Sequence, residues 1–154
     1  MLEPPEILRT AAQFTAALHL TTPRNQIGNV MALGIQEVRS AVAAQGIATN
    51  GPWFTHHLRM EPDLFDFEIC LPVAAPINPA GRVQPSQWPA MRVARTIYVG
   101  PYERLGAAWG EFESWIAAQG QTGSADLYER YLVGPETTSD SASFRTELNH
   151  PLTP

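Results

Sequence analysis

Ala43-Ala44-Gln45-Gly46 recurs as Ala117-Ala118-Gln119-Gly120, 74 residues further on, and that repetition decides how the chain is read. Working outward at the same offset, Glu37 falls on Glu111, Ser40 on Ser114 and Thr22 on Thr96. Gln13-Phe14-Thr15-Ala16 lies over Gln87-Trp88-Pro89-Ala90. No gap is needed from Gln13 to His57, and nine of those 45 positions are identical. The identities recur at the same places in the hydrophobic pattern, so the chain reads as two copies of one unit. Such a duplication predicts a pseudo-twofold fold with its binding cleft on the seam.

In the first copy, Ile27, Met31, Ile35, Val38 and Val42 follow at spacings of four, four, three and four, one stripe of a helix. Thr22 is placed as its N-cap, with Pro23 in the first turn, where a missing N–H costs nothing. Gly46 ends the helix in a left-handed conformation. Residues 6–21 read as extended. Phe65, Phe67, Ile69 and Leu71 alternate with Asp66, Glu68 and Cys70, so strands are expected at 53–60 and 64–73, joined by a turn at Glu61-Pro62-Asp63.

Residues 74–86, AAPINPAGRVQPS, hold three prolines and a glycine and read as a linker. The second copy repeats the order, with a strand over 88–98 and Gly100-Pro101 opening a helix that has Glu103 in its first turn. Its stripe is Leu105, Trp109, Phe112 and Ile116, and Gly120 ends it. Strands follow at 126–133 and 143–152. Glu147 is the image of Glu68, which points to a shared structural role for the two. The expected fold is α+β, a duplicated β-α-β-β unit forming an antiparallel sheet with both helices on one face. It is read as a single domain over 1–154, with repeats at about 7–73 and 87–152.

Composition narrows the function. Net charge is −5 and no Lys/Arg cluster is present, so no nucleic-acid footprint is expected. No apolar run approaches the ~18 residues of a membrane span. The N-terminus, MLEPPEILRT, lacks the pattern of a secretory signal. Cys70 is the only cysteine, so no internal disulfide can form, and a cytoplasmic, soluble protein is expected. Adjacent His56 and His57 point to opposite faces of a strand and cannot chelate one ion together. No metal or other cofactor is expected, and the histidines are too few to support haem.

Several features of the second copy together resemble the GyrI-like family. They are Tyr98-Val99-Gly100-Pro101-Tyr102 before the helix, Trp109 within it, Tyr128-Glu129-Arg130-Tyr131-Leu132 after it, and the ending Thr146-Glu147-Leu148-Asn149-His150-Pro151-Leu152. The resemblance runs from about Ile7 to Leu152 and rests on the ordered set rather than on one motif. It implies the same duplicated fold and a cleft that takes bulky, aromatic or cationic molecules. It implies that Glu129 is the polar anchor. It also admits two other uses: hydrolysis of electrophilic, cyclopropane-type toxins with Glu129 as base, and an interaction module for a partner such as gyrase. The chain is expected to lack the DNA-binding domain of the family's regulators.

Glu129 is the sharpest candidate, because its image in the first copy is Thr55 and the halves therefore differ in charge there. Tyr131, the image of His57, shares its strand face. With Glu129 it would supply proton transfer if the protein is an enzyme. Trp109 lies on the helix stripe, and Trp115 lies off it at the image of Ala41. Together with His57, Tyr102 and Trp53, these aromatics are the candidate walls of the cleft. Tyr98 and Phe54 are further candidates, while Met31 and Val30 are read as core. Patterning leaves one conflict. Phe54, Leu58, Tyr128 and Leu132 form the more apolar face of their strands, which would turn Trp53, Thr55, His57, Glu129 and Tyr131 away from the helices. A bulge or a strong twist would reconcile that with a cleft role for Glu129.

Overall fold

The computed structural model describes residues 1–154, the side chain of Met60 apart. Its elements are β1 (Glu6–Arg9), β2 (Gln13–Pro23), α1 (Ile27–Ala44), β3 (Phe54–Met60), β4 (Leu64–Pro72), β5 (Val83–Trp88), β6 (Arg92–Val99), α2 (Leu105–Ala118), β7 (Leu127–Val133) and β8 (Arg145–Pro151). The fold is α+β, and the chain divides into two compact units. The first unit, residues 11–90, carries strands in the order β3-β4-β2-β5, all antiparallel, with α1 packed on β4 and β2. The second, residues 1–10 with 91–154, carries β7-β8-β6-β1, also antiparallel, with α2. Thus β1 pairs with β6, not β2, and β5 pairs with β2, not β6. Residues 83–86, expected as linker, belong to β5, and the strand expected over 88–98 is the end of β5 followed by β6.

Strand register fixes which residues are equivalent. Thr55 faces Ile69 as Glu129 faces Leu148, and His57 faces Phe67 as Tyr131 faces Thr146. A bulge follows His57 in one unit and Tyr131 in the other. The offset of 74 therefore holds for β3 and β7. It does not hold for the strand before each helix, because Thr15 faces Pro72 while its counterpart facing Pro151 is Val93, 78 residues on. Pro23 and Pro101, which lead into the helices, are also 78 apart.

The ungapped alignment from Gln13 to His57 is accordingly corrected. Helix α2 has 14 residues where α1 has 18, so Thr22 corresponds to Gly100 and not to Thr96. Four residues turn a helix by about 400°, so losing them leaves the apolar stripe on nearly the same side. The buried helix positions show it. Gly34, Ile35, Val38 and Val42 in α1 match Ala108, Trp109, Phe112 and Ile116 in α2, each 74 residues apart.

Thr22 does not cap α1. β2 runs through it to Pro23, a 3-10 turn at Arg24–Gln26 intervenes, and neither helix has a side-chain cap. The helix ends are as expected: Gly46 and Gly120 have φ of +67° and +71°, values that L side chains adopt at a cost.

The face conflict resolves against simple patterning. Ile69 and Phe67, partners of Thr55 and His57, belong to the α1 core, and Leu148, partner of Glu129, belongs to the α2 core. The polar set thus faces the helices. The bulges come after His57 and Tyr131, so ordinary alternation, not a bulge, turns Glu129 inward. The opposite face carries His56 and Arg130 between its apolar residues. His56 pairs with Glu68 at 3.2 Å and Arg130 with Glu147 at 3.5 Å, at equivalent positions. Glu147 also accepts from Asn149 at 2.9 Å and lies 3.3 Å from Arg95. Glu68 and Glu147 therefore share the structural role expected of them.

Candidate functional site

Strand β7 places Glu129 and Tyr131 on one face, two residues apart, under helix α2. Trp109 comes from the buried stripe of that helix and donates its indole N–H to Glu129 Oε2 at 2.7 Å. The Tyr131 hydroxyl donates to the other oxygen, Oε1, at 2.9 Å. Glu129 is 8% exposed. Each of its carboxylate oxygens thus receives a neutral donor of charge-assisted type.

Aromatic rings continue outward. Tyr102, in the 3-10 turn before α2, meets Tyr131 edge-on at 6.2 Å and lies 5.0 Å from the Phe144 ring. Burial, and next the charge of Glu129, push the Tyr102 phenol up to about 12, so it stays protonated at neutral pH. Tyr102 is 36% exposed, which puts it at the solvent side of the group. Trp109 also packs on Phe112 at 5.8 Å and edge-on against His150 at 6.0 Å.

The structure therefore brings Glu129, Tyr131, Trp109 and Tyr102 together within the second unit. Trp115 stacks on Phe112 at 6.3 Å and packs on the α2 core. Tyr98 is buried, and its hydroxyl donates to the Pro101 carbonyl at 2.8 Å. In the first unit, His57 Nε2 lies 3.1 Å from the Thr55 hydroxyl, and the ring stacks on Phe67 at 5.5 Å. Trp53 packs on the α1 core and Phe54 meets Trp88 edge-on at 5.0 Å. Among the described residues, no group of three or more His, Cys, Asp or Glu side chains is arranged to hold a metal ion. Among the described residues, no helix is long and apolar enough to cross a membrane.

The sequence reading missed the Phe144 ring beside Tyr102 and the His150 ring beside Trp109. Phe144 follows a polar loop. His150 stands alone in a strand, so no spacing marks it.

The family model for the GyrI-like small molecule binding domain matches residues 3–153. No curated protein sequence matches the chain. The EcmrR C-terminal domain superposes with a TM-score of 0.86 at 21% identity, covering 97% of each chain. EcmrR in its DNA complex gives a TM-score of 0.83 at 19% identity, covering 97% of this chain and 57% of that one, so the chain spans little more than half its length. SAV2435 bound to tetraphenylphosphonium gives 0.64 at 12% identity, covering 98% of this chain and 94% of that one. At these identities the three share the fold.

Proposed function

This chain belongs to the GyrI-like small molecule binding domain family, and from that premise we propose that it binds a bulky aromatic cation against the Glu129 carboxylate. The observation that carries the reading is the difference between the two units. At equivalent positions one has Ile35, Thr55 and His57 and the other Trp109, Glu129 and Tyr131. The first unit keeps the same register and bulge with a threonine, so the fold does not require a carboxylate there. Burying one costs several kcal/mol before its partners are counted. Two neutral donors offset part of that cost, and a cation would offset more. The rings of Trp109, Tyr131, Tyr102 and Phe144 suit an apolar cation through their area and their negative faces.

The test is a fluorescence titration with tetraphenylphosphonium, the lipophilic cation bound to SAV2435, beside neutral triphenylphosphine oxide. Saturable binding is expected for the cation, at least about tenfold tighter than for the neutral compound, a preference worth about 1.4 kcal/mol. Equal affinities, or none, would overturn the reading. A second use of the carboxylate is supported by the Tyr131 hydroxyl 2.9 Å away, which pairs a base with a proton donor. Turnover of an electrophilic substrate, lost in Glu129→Gln while binding of that substrate survives, would establish hydrolysis.

A further inference from the structure

Strand β8 puts Thr146 on the same face as Glu129 and Tyr131, in register with Tyr131 on one side and Tyr98 on the other. Phe144, two residues before it, packs on Tyr102. Thr146 is 0% exposed, and among the described residues its Oγ1 has no hydrogen-bond partner. The hydroxyls on either side are committed elsewhere. Tyr131 donates to Glu129 Oε1 and Tyr98 to the Pro101 carbonyl. A buried hydroxyl without a partner destabilises a fold, and this fold does not call for one. At the equivalent position of the first unit, opposite His57, stands Phe67, an apolar member of the α1 core.

We propose that Thr146 is a second polar contact of the Glu129 site and sets its ligand class: an aromatic ammonium that bears N–H bonds, rather than a quaternary cation. This rests on the binding function proposed above. The two residues lie within one unit. Glu129 pairs with Leu148, so Glu129 and Thr146 are diagonal neighbours on β7 and β8, about 7–8 Å apart. Both stand on the helix-facing side of the sheet, so one ammonium group between them can donate to each.

Charge sets the direction of the new bond. A threonine hydroxyl both accepts and donates. A ligand atom that accepts from Thr146 brings partial negative charge toward the Glu129 carboxylate and is repelled. An N–H that donates to Thr146 brings positive charge and is attracted. A quaternary cation carries the same total charge but no donor, so it leaves the Thr146 hydroxyl as it stands. The aromatic rings of Tyr131, Tyr102 and Phe144 serve both kinds of cation alike. Discrimination between them therefore falls to Thr146.

The first arm of the test needs no ligand. Thr146→Val keeps the branched shape and removes the hydroxyl. Its melting temperature is expected to rise by about 2–4 °C, the scale of a small stabilisation in a domain of this size. A variant that melts at or below the parent, or does not fold, would show the hydroxyl already satisfied within the fold and overturn the proposal. The second arm titrates diphenylmethylammonium and its N,N,N-trimethyl counterpart, followed by tryptophan fluorescence, with tetraphenylphosphonium beside them. The first two share rings and charge and differ in N–H donors. In Thr146→Val the affinity for diphenylmethylammonium is expected to fall about tenfold, the scale of one hydrogen bond to a charged group. Affinity for the trimethyl compound and for tetraphenylphosphonium is expected to hold. Thr146→Ser, which keeps a hydroxyl, is expected to retain the ammonium affinity. An equal loss for all three cations, or no loss for the ammonium, would overturn the proposal. Tetraphenylphosphonium binding that still depends on Glu129 would then leave the binding function standing. A parent that binds none of the three would refute the binding function, and this inference with it.

Discussion

Replacing Glu129 with glutamine keeps the shape of the side chain and removes its charge, and the structure sets what should follow. The amide oxygen can accept the Trp109 N–H that now reaches Oε2 at 2.7 Å. The amide NH2 then faces Tyr131, whose hydroxyl can turn and accept instead of donating. Both contacts survive in neutral form, each weaker by about 1 kcal/mol. Against that, the several kcal/mol spent in desolvating a buried carboxylate are recovered. The variant is therefore expected to be as stable as the parent, or more stable by up to about 2 kcal/mol. Cation binding runs the other way. An opposite charge about 6 Å away contributes up to about 3 kcal/mol at an effective dielectric of about 20 and less where solvent screens it, so tetraphenylphosphonium affinity should fall roughly 5- to 150-fold. Thermal melts and fluorescence titration of the same variant read both effects, with triphenylphosphine oxide as the neutral control. A variant less stable than the parent with undiminished cation affinity would refute the reasoning, because the carboxylate would then serve the fold and not a ligand.

Other expectations test the framework. Phe112→Ala, at a fully buried position of α2, should cost about 3–5 kcal/mol by chemical denaturation. Gly46→Ala and Gly120→Ala should each cost about 1 kcal/mol from the positive φ alone, since a Cβ at either position meets nothing, and the double variant should be additive. The hydrogen bond from His19 at 2.5 Å, with Arg59 adding to it, holds the Asp66 carboxyl below its usual range. A lowered folded value means stability that is present above the unfolded value and lost as pH falls through the folded one. Acid unfolding of Asp66→Asn should therefore be less steep below about pH 4 than that of the parent.

What could be read from the sequence followed from periodicity. The stripe Leu105, Trp109, Phe112, Ile116 placed α2 and identified three of its four buried residues, because a helix repeats its environment every three to four positions. The same periodicity concealed the missing turn. With four residues lost, the stripes still superposed, and Thr22 was matched to Thr96 when the fold matches it to Gly100. Thr22 also looked like a cap, yet β2 extends through it, since strand pairing with Phe65 outweighs a capping preference. β1 was read as one extended segment with β2, and β5 was illegible because, with four exposed residues, Pro85 among them, it has the composition of a linker. The carboxylate was recognisable because Glu129 stands where its image is Thr55. Its direction was not, because His56 and Arg130 make the opposite face equally mixed. His150 was missed because only the fold brings Trp109 of α2 onto β8.

The central claim is that Glu129 is where a ligand's charge is held, and a crystal structure with tetraphenylphosphonium tests it most directly. The account predicts the phosphonium centre within about 6 Å of the Glu129 carboxylate, the range over which an opposite charge acts directly on it. Phenyl rings should lie against Trp109, Tyr131 or Tyr102. A cation bound elsewhere, with the Trp109 and Tyr131 hydrogen bonds to Glu129 undisturbed and no charge beside them, would contradict it.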